Sequence, residues 1–242
     1  GMSVSLKSRN NILAAMGIAG VGLAAFQTSR LLPVWRNELT LFSHALKVTQ
    51  DNWMAHHGLA RVLDQRGRTD AAIEHYRTSI AIDPTNADVH NGLATALLKK
   101  GRIREALSEF RTAVRLDPFN AAARMQYGVA LDRDGSLPEA VKQLRRAVEL
   151  APDNPLAHQN LAGVLARQSS YPEAVEHYRI ACCLTGFSDL PTVINLAEAS
   201  YKAGLREDAI SAANRALKLA QAADKTDLAD YVRRRMKTYE QQ

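Results

Sequence analysis

The sequence predicts an all-α fold: a right-handed α-solenoid of stacked helix pairs, preceded by a separate hydrophobic helix at the N-terminus. Three observations predict it. Pro84, Pro118 and Pro152 stand 34 residues apart, and Gly67, Gly101 and Gly135 keep the same interval. Ala72, Ala106, Ala140 and Ala174 repeat in that register, followed in step by Tyr76, Phe110, Leu144 and Tyr178. Within each unit the apolar residues fall at helical rather than alternating spacing. A fixed period of this size marks stacked supersecondary units, each burying its face only against its neighbours.

The second unit shows how each is built. Leu93, Ala94, Leu97 and Leu98 give the apolar face of a first helix, A. Gly101 ends it, as glycine does where the chain turns through positive φ. Ala106, Phe110, Ala113 and Val114 give the face of a second helix, B, and Asp117-Pro118 stops it, because proline lacks the N–H and biases its predecessor away from helix. The small alanine fits where the helices of a pair cross closely, and the bulky side chain after it fills the space alongside.

On these residues the unit resembles the tetratricopeptide repeat (TPR). Leu59/Ala60, Gly67, Ala72, Tyr76 and Pro84 carry the pattern in a unit at 53–86. Leu93/Ala94, Gly101, Ala106, Phe110 and Pro118 carry it at 87–120, and Tyr127/Gly128, Gly135, Ala140, Leu144 and Pro152 at 121–154. A looser unit at 155–188 has Leu161/Ala162, Ser169 at the turn, Ala174 and Tyr178, with Gly186 in place of proline. A fifth at 189–223 has Leu196/Ala197, Gly204, Ala209 and Ala216, with Ala213 in place of the aromatic.

The flanks differ. Residues 33–52 read as a half-repeat, a lone B helix with Phe42, Ala45 and Val48 in the register of Phe110, Ala113 and Leu116. Residues 224–242 read as a capping helix, with Leu228, Tyr231, Val232 and Met236 on its apolar side and Arg233, Arg234, Arg235 and Lys237 on or beside its polar side. Beyond a tail at 1–10, residues 11–32 are predicted as a hydrophobic helix, within an uncharged run from Asn10 to Ser29. A helix apolar all round is buried or in lipid. Three readings stand: a membrane span, an extra repeat helix packed on the array, and a secretory signal peptide. Membrane association is the favoured localisation, with a soluble cytoplasmic protein as the alternative. The stretch Gln27-Thr28-Ser29, Trp35-Arg36-Asn37, Leu41 to Leu46, Asn52 and His56-His57-Gly58-Leu59 is similar to the junction between the last membrane span and the TPR tail of multi-pass O-mannosyltransferase-like membrane proteins.

Composition narrows the chemistry. Two cysteines exclude a disulfide-stapled scaffold and four-cysteine zinc sites. The net charge of +6 permits an acidic partner without demanding one. His56, His90 and His158 share one repeat position and His75 and His177 another. Equivalent positions in neighbouring repeats lie about 10 Å apart, too far for one ion, and none of these histidines has an i, i+4 histidine partner. No metal site is therefore expected, nor any cofactor. No nucleophile elbow, phosphate loop or metalloprotease motif is present, so no enzymatic activity is expected. The basic run at 233–237 has no interleaved aromatics, which argues against nucleic acid.

The TPR resemblance implies instead a non-enzymatic scaffold that binds a protein or peptide in a concave groove lined by the A helices. Its groove positions give Met54, His57 and Arg61 in the first unit, then Asn91, Thr95 and Lys99. They continue as Met125 and Arg133, then Gln159, Asn160 and Arg167, and finally Asn195, Glu198 and Lys202. Each unit supplies one cation, at 61, 99, 133, 167 and 202, a row suited to an acidic peptide. Alternatively the chain is the recruitment tail of a membrane glycosyltransferase-like protein; end-to-end self-association of the array is a further expectation.

Overall fold

The computed structural model describes residues 37–241. The hydrophobic helix expected at 11–32 lies outside them, as does the tail at 1–10. Among the described residues, no helix is long and apolar enough to cross a membrane. These residues form twelve helices and no strand: α1 (Glu38–Val48), α2 (Trp53–Gln65), α3 (Thr69–Ile82), α4 (Ala87–Lys99), α5 (Ile103–Leu116), α6 (Ala121–Asp134), α7 (Leu137–Leu150), α8 (Pro155–Arg167), α9 (Tyr171–Leu184), α10 (Leu190–Lys202), α11 (Arg206–Ala222) and α12 (Thr226–Glu240).

Starts and stops follow from local chemistry. The A helices begin at Asn52, Asn86, Asn120, Asn154 and Asp189, whose side-chain oxygens accept backbone N–H groups two or three residues on. Each such cap satisfies donors the helix cannot use and contributes about 1 kcal/mol. The four asparagines carry the 34-residue period too. The B helices α3, α5, α7, α9 and α11 have no side-chain cap, because they start directly out of a tight turn. In that turn Gly67, Gly101, Gly135 and Gly204 adopt φ between 73° and 85°, and the N–H of the residue after each glycine closes back, as from Arg102 to the Leu97 carbonyl at 3.0 Å. Ser169 makes the same turn at φ 63°, which a side chain adopts only at some cost.

Two compact units divide after Pro84. In the first, α2 packs against both α1 and α3. Its core is Ala55, Leu59, Ala60, Leu63, Ala72, Ile73 and Tyr76. No residue of α1 is fully buried; its Phe42 ring lies over Gly58 and fills the space a side chain there would need.

In the second unit α4 to α11 form four helix pairs, each packed on the next, and α12 packs on α11. The A helices α4, α6, α8 and α10 also touch one another in order, so they line one face together. The repeating alanines are the crossing points: Ala106, Ala140, Ala174 and Ala209 are all 0% exposed. Phe110 and Leu144 beside them are also fully enclosed, and Tyr178 nearly so.

The C-terminal helix departs from expectation. Its buried side chains are Ala229, Val232 and Tyr239, whereas Leu228 and Tyr231 are each 36% exposed. Arg235 does not join a solvated polar side: it turns inward, with its guanidinium 5.4 Å from the Tyr239 ring centre.

Candidate functional site

The predicted groove residues 54, 57 and 61, 91, 95 and 99, and 195, 198 and 202 recur every three or four positions, so each set forms a stripe along its own A helix. In the first unit Met54 is 61% exposed. His57 is half-buried, its ring 6.0 Å from Tyr76. Arg61 meets Glu38 of α1 at 3.4 Å with both side chains more than half exposed, a pair that contributes at most about 1 kcal/mol.

In the second unit the Thr95 hydroxyl donates to the Asn91 carbonyl (2.9 Å) and lies 2.8 Å from Gln126 Oε1, tying α4 to α6. The Asn91 side-chain oxygen is buried without a hydrogen-bond partner. Lys99 and Arg133 are exposed and Met125 is half-buried. Further along, α6, α8 and α10 enclose a shallow depression of about 250 Å³. It is lined by Val129, Asp132, Gln159, Asn160, Gly163, Val164, Arg167, Asn195 and, from the B helix α9, Tyr178. Arg167 donates to Asp132 at 2.5 Å, so this cation is already neutralised within the chain. Burial pushes the Tyr178 hydroxyl up to about 12, so it stays a neutral donor.

Of the predicted residues, Gln159, Asn160, Arg167 and Asn195 thus share one depression. Tyr178 and Gln126 were not predicted: Tyr178 reads as pure packing in sequence, yet its phenol reaches the A-helix face. Glu198 corrects the expectation. Arg235 donates to both of its carboxylate oxygens, at 2.6 Å from one nitrogen, and the Tyr231 hydroxyl to one of them at 3.1 Å. Burial alone would raise the Glu198 carboxyl, but these donors and Tyr239 hold it below its ordinary range. Glu198 is therefore an anchor for α12 rather than an open groove position; Lys202, four residues on, is exposed.

A second polar feature crosses four of the five helix pairs. Residues 19 apart meet between A and B helices: His56 with His75, His90 with Glu109, Arg124 with Gln143, and His158 with His177. The partner of each histidine comes from the other helix of the pair, not from one turn away on the same helix. In the two histidine pairs Nδ1 faces Nδ1 at 3.0 Å. One shared proton fits between them; two would set donor against donor. The pKa values of His56, His75 and His177 lie below the ordinary 6.5, chiefly through burial. The second imidazole of the pair adds to this at His75 and His177, against Glu74 at His75 and Glu173 and Glu176 at His177; Arg145 reinforces it at His177.

These shifts have a definite sign. The unfolded chain binds more protons just below pH 6.5, so the stabilisation is complete above that pH and is lost as pH falls toward the depressed folded values. The melting temperature should drop between pH 7.5 and 5, and His75→Gln/His177→Gln should flatten part of that slope. An unchanged slope in the double variant would remove the histidine pairs as its cause.

Known proteins place this geometry. Residues 91–155 and 137–189 match the family described as Tetratricopeptide repeat, and residues 60–101 the family described as TPR repeat. Among solved structures the chain is similar to YrrB, a TPR protein with an unusual peptide-binding site (19% identity, TM-score 0.68, covering 80% of this chain and 97% of that one). It is also similar to MamA (21%, 0.65, 72% and 94%) and to pilF of Pseudomonas aeruginosa (23%, 0.62, 77% and 90%). No curated protein matches it by sequence. With the matched segments together spanning residues 60–189, more than half of its length, and with the helix pairs following the same period, the chain belongs to the tetratricopeptide repeat proteins.

Proposed function

We propose that the protein is a non-enzymatic scaffold that holds an extended segment of a protein partner on its A-helix face, centred on the depression between α6, α8 and α10. The observation that carries this is the pair Asn160 and Asn195. Both carboxamides line the depression, and neither has a hydrogen-bond partner among the described residues. A carboxamide donates and accepts at once, which is what an extended backbone requires. Tyr178 supplies a further donor, and Val129 and Val164 an apolar floor. Arg133 has no ion pair among the described residues, and with Lys202 it favours an acidic segment. The peptide-binding site named for YrrB is in keeping with this mode.

Asn160→Ala/Asn195→Ala should weaken capture of partners from the protein's own cell extract by about ten- to thirty-fold, since neutral hydrogen bonds contribute about 1 kcal/mol each. Unchanged capture would move the site elsewhere. Arg133→Glu tests the acidic preference separately, because it leaves both amides in place. The uncharged run at 10–29 supports tethering of this scaffold to a membrane. The junction-like residues around Trp35 to Leu59 support a second reading, a recruitment tail of a membrane glycosyltransferase-like protein. A reading frame continuing upstream into further membrane spans favours the second; a single span favours the first.

A further inference from the structure

We propose that the His56/His75 and His158/His177 pairs are each a two-nitrogen site for a late first-row divalent ion, Cu²⁺ or Ni²⁺, with water completing the coordination. In both pairs the two Nδ1 atoms converge at 3.0 Å, with ring centres 5.2 Å apart and ring planes tilted by 39° and 40°. Two nitrogens held about 2.0–2.1 Å from one ion lie about 2.8–3.0 Å apart at a right angle and about 3.3–3.4 Å apart at the tetrahedral angle. The observed separation therefore suits adjacent positions of a square-planar or octahedral ion rather than tetrahedral zinc.

One of the four rings is also held as a ligand would be. His158 Nε2–H donates to the Pro152 carbonyl at 2.9 Å, which leaves the Nδ1 lone pair facing His177. A backbone carbonyl on the far nitrogen is the usual way a metal-binding imidazole is held. On binding, the proton between the two Nδ1 atoms moves through water to Nε2 of the donating ring, so both imidazoles stay neutral. Among the described residues no group of three or more ligating side chains is placed to hold an ion. The remaining positions fall to water, which reaches the half-exposed rings of His56, His75 and His177.

The two sites differ in their neighbours. At His75 the Glu74 carboxylate opposes the second imidazole, His56. At His177 the carboxylates of Glu173 and Glu176 are opposed by Arg145, which is bonded to Glu173 at 2.7 Å. The other helix pairs show what the position does without a second imidazole: His90 donates to Glu109 at 2.6 Å and Arg124 to Gln143 at 2.9 Å.

The test is titration of the full chain with CuCl₂ at pH 7.5, followed by calorimetry and by electron paramagnetic resonance. Two ions should bind per chain, each with the hyperfine pattern of two imidazole nitrogens. His75→Gln and His177→Gln, which keep a polar side chain in the clamp, should each weaken one site at least about tenfold and leave the other. Circular dichroism checks that the variants stay helical. Stoichiometry and affinity unchanged in the double variant, or a spectrum with one nitrogen per ion, would overturn the proposal.

Discussion

Phe110→Ala should lower stability by about 3–5 kcal/mol, the range for emptying an aromatic site in a packed core. Phe110 is 0% exposed and its ring is stacked 6.2 Å from that of Tyr127 at 26°. It lies on α5 while Tyr127 lies on α6, so the ring joins one helix pair to the next. For an array of this size that loss corresponds to a fall in melting temperature of about 6–20 °C. Because each repeat is stabilised by its neighbours, hydrogen exchange should accelerate first in α5 and α6 and then spread. A loss under about 1 kcal/mol in urea unfolding would mean that the ring does not hold the two pairs together.

Gly128→Ala and Gly163→Ala should change stability in opposite directions. Both glycines lie inside A helices, where alanine is favoured by about 1 kcal/mol. At Gly163 nothing opposes that gain: an added Cβ would meet only the Tyr178 hydroxyl, at 3.6 Å, an ordinary contact. At Gly128 the same Cβ would lie 2.5 Å from Leu144 Cγ, and Leu144 is itself 0% exposed. The branch point of an enclosed leucine cannot swing aside, and overpacking of this kind costs about 1–3 kcal/mol. The Gly128 variant should therefore be less stable than the parent and the Gly163 variant more stable. Paired thermal melts check this, and the same sign for both would contradict the packing described at the α6–α7 crossing.

These two residues also show what sequence can and cannot supply. The 34-residue register places Gly128 at the position of Ala60, Ala94 and Ala162, so the need for a small residue there is readable. That Leu144 fills the vacated space is a matter of side-chain direction, which the period does not carry. The turn glycines were readable because positive φ leaves few alternatives, and even Ser169 was placed at its turn by register alone. The histidine clamps were missed for a different reason. Their members are 19 residues apart, a distance with no meaning until two helices are folded against each other. Outside the array there is no template, and the reading was weakest there. Tyr231 was assigned to the apolar side of α12, but its hydroxyl is bonded to Glu198 and its ring stays at the surface. The same contact takes Glu198 away from the predicted groove. Asn160 and Asn195 were found because the resemblance fixed their register; their meeting with Tyr178 in one depression needed the fold.

On the proposed function, an extended segment binds across α6, α8 and α10. Selection of a randomised peptide library on the immobilised full chain tests it most directly. Enriched peptides should share an extended, acid-containing pattern, compete with one another, and lose binding to the Asn160→Ala/Asn195→Ala variant while that variant keeps its helical spectrum. Enriched peptides that bind parent and variant equally would contradict it.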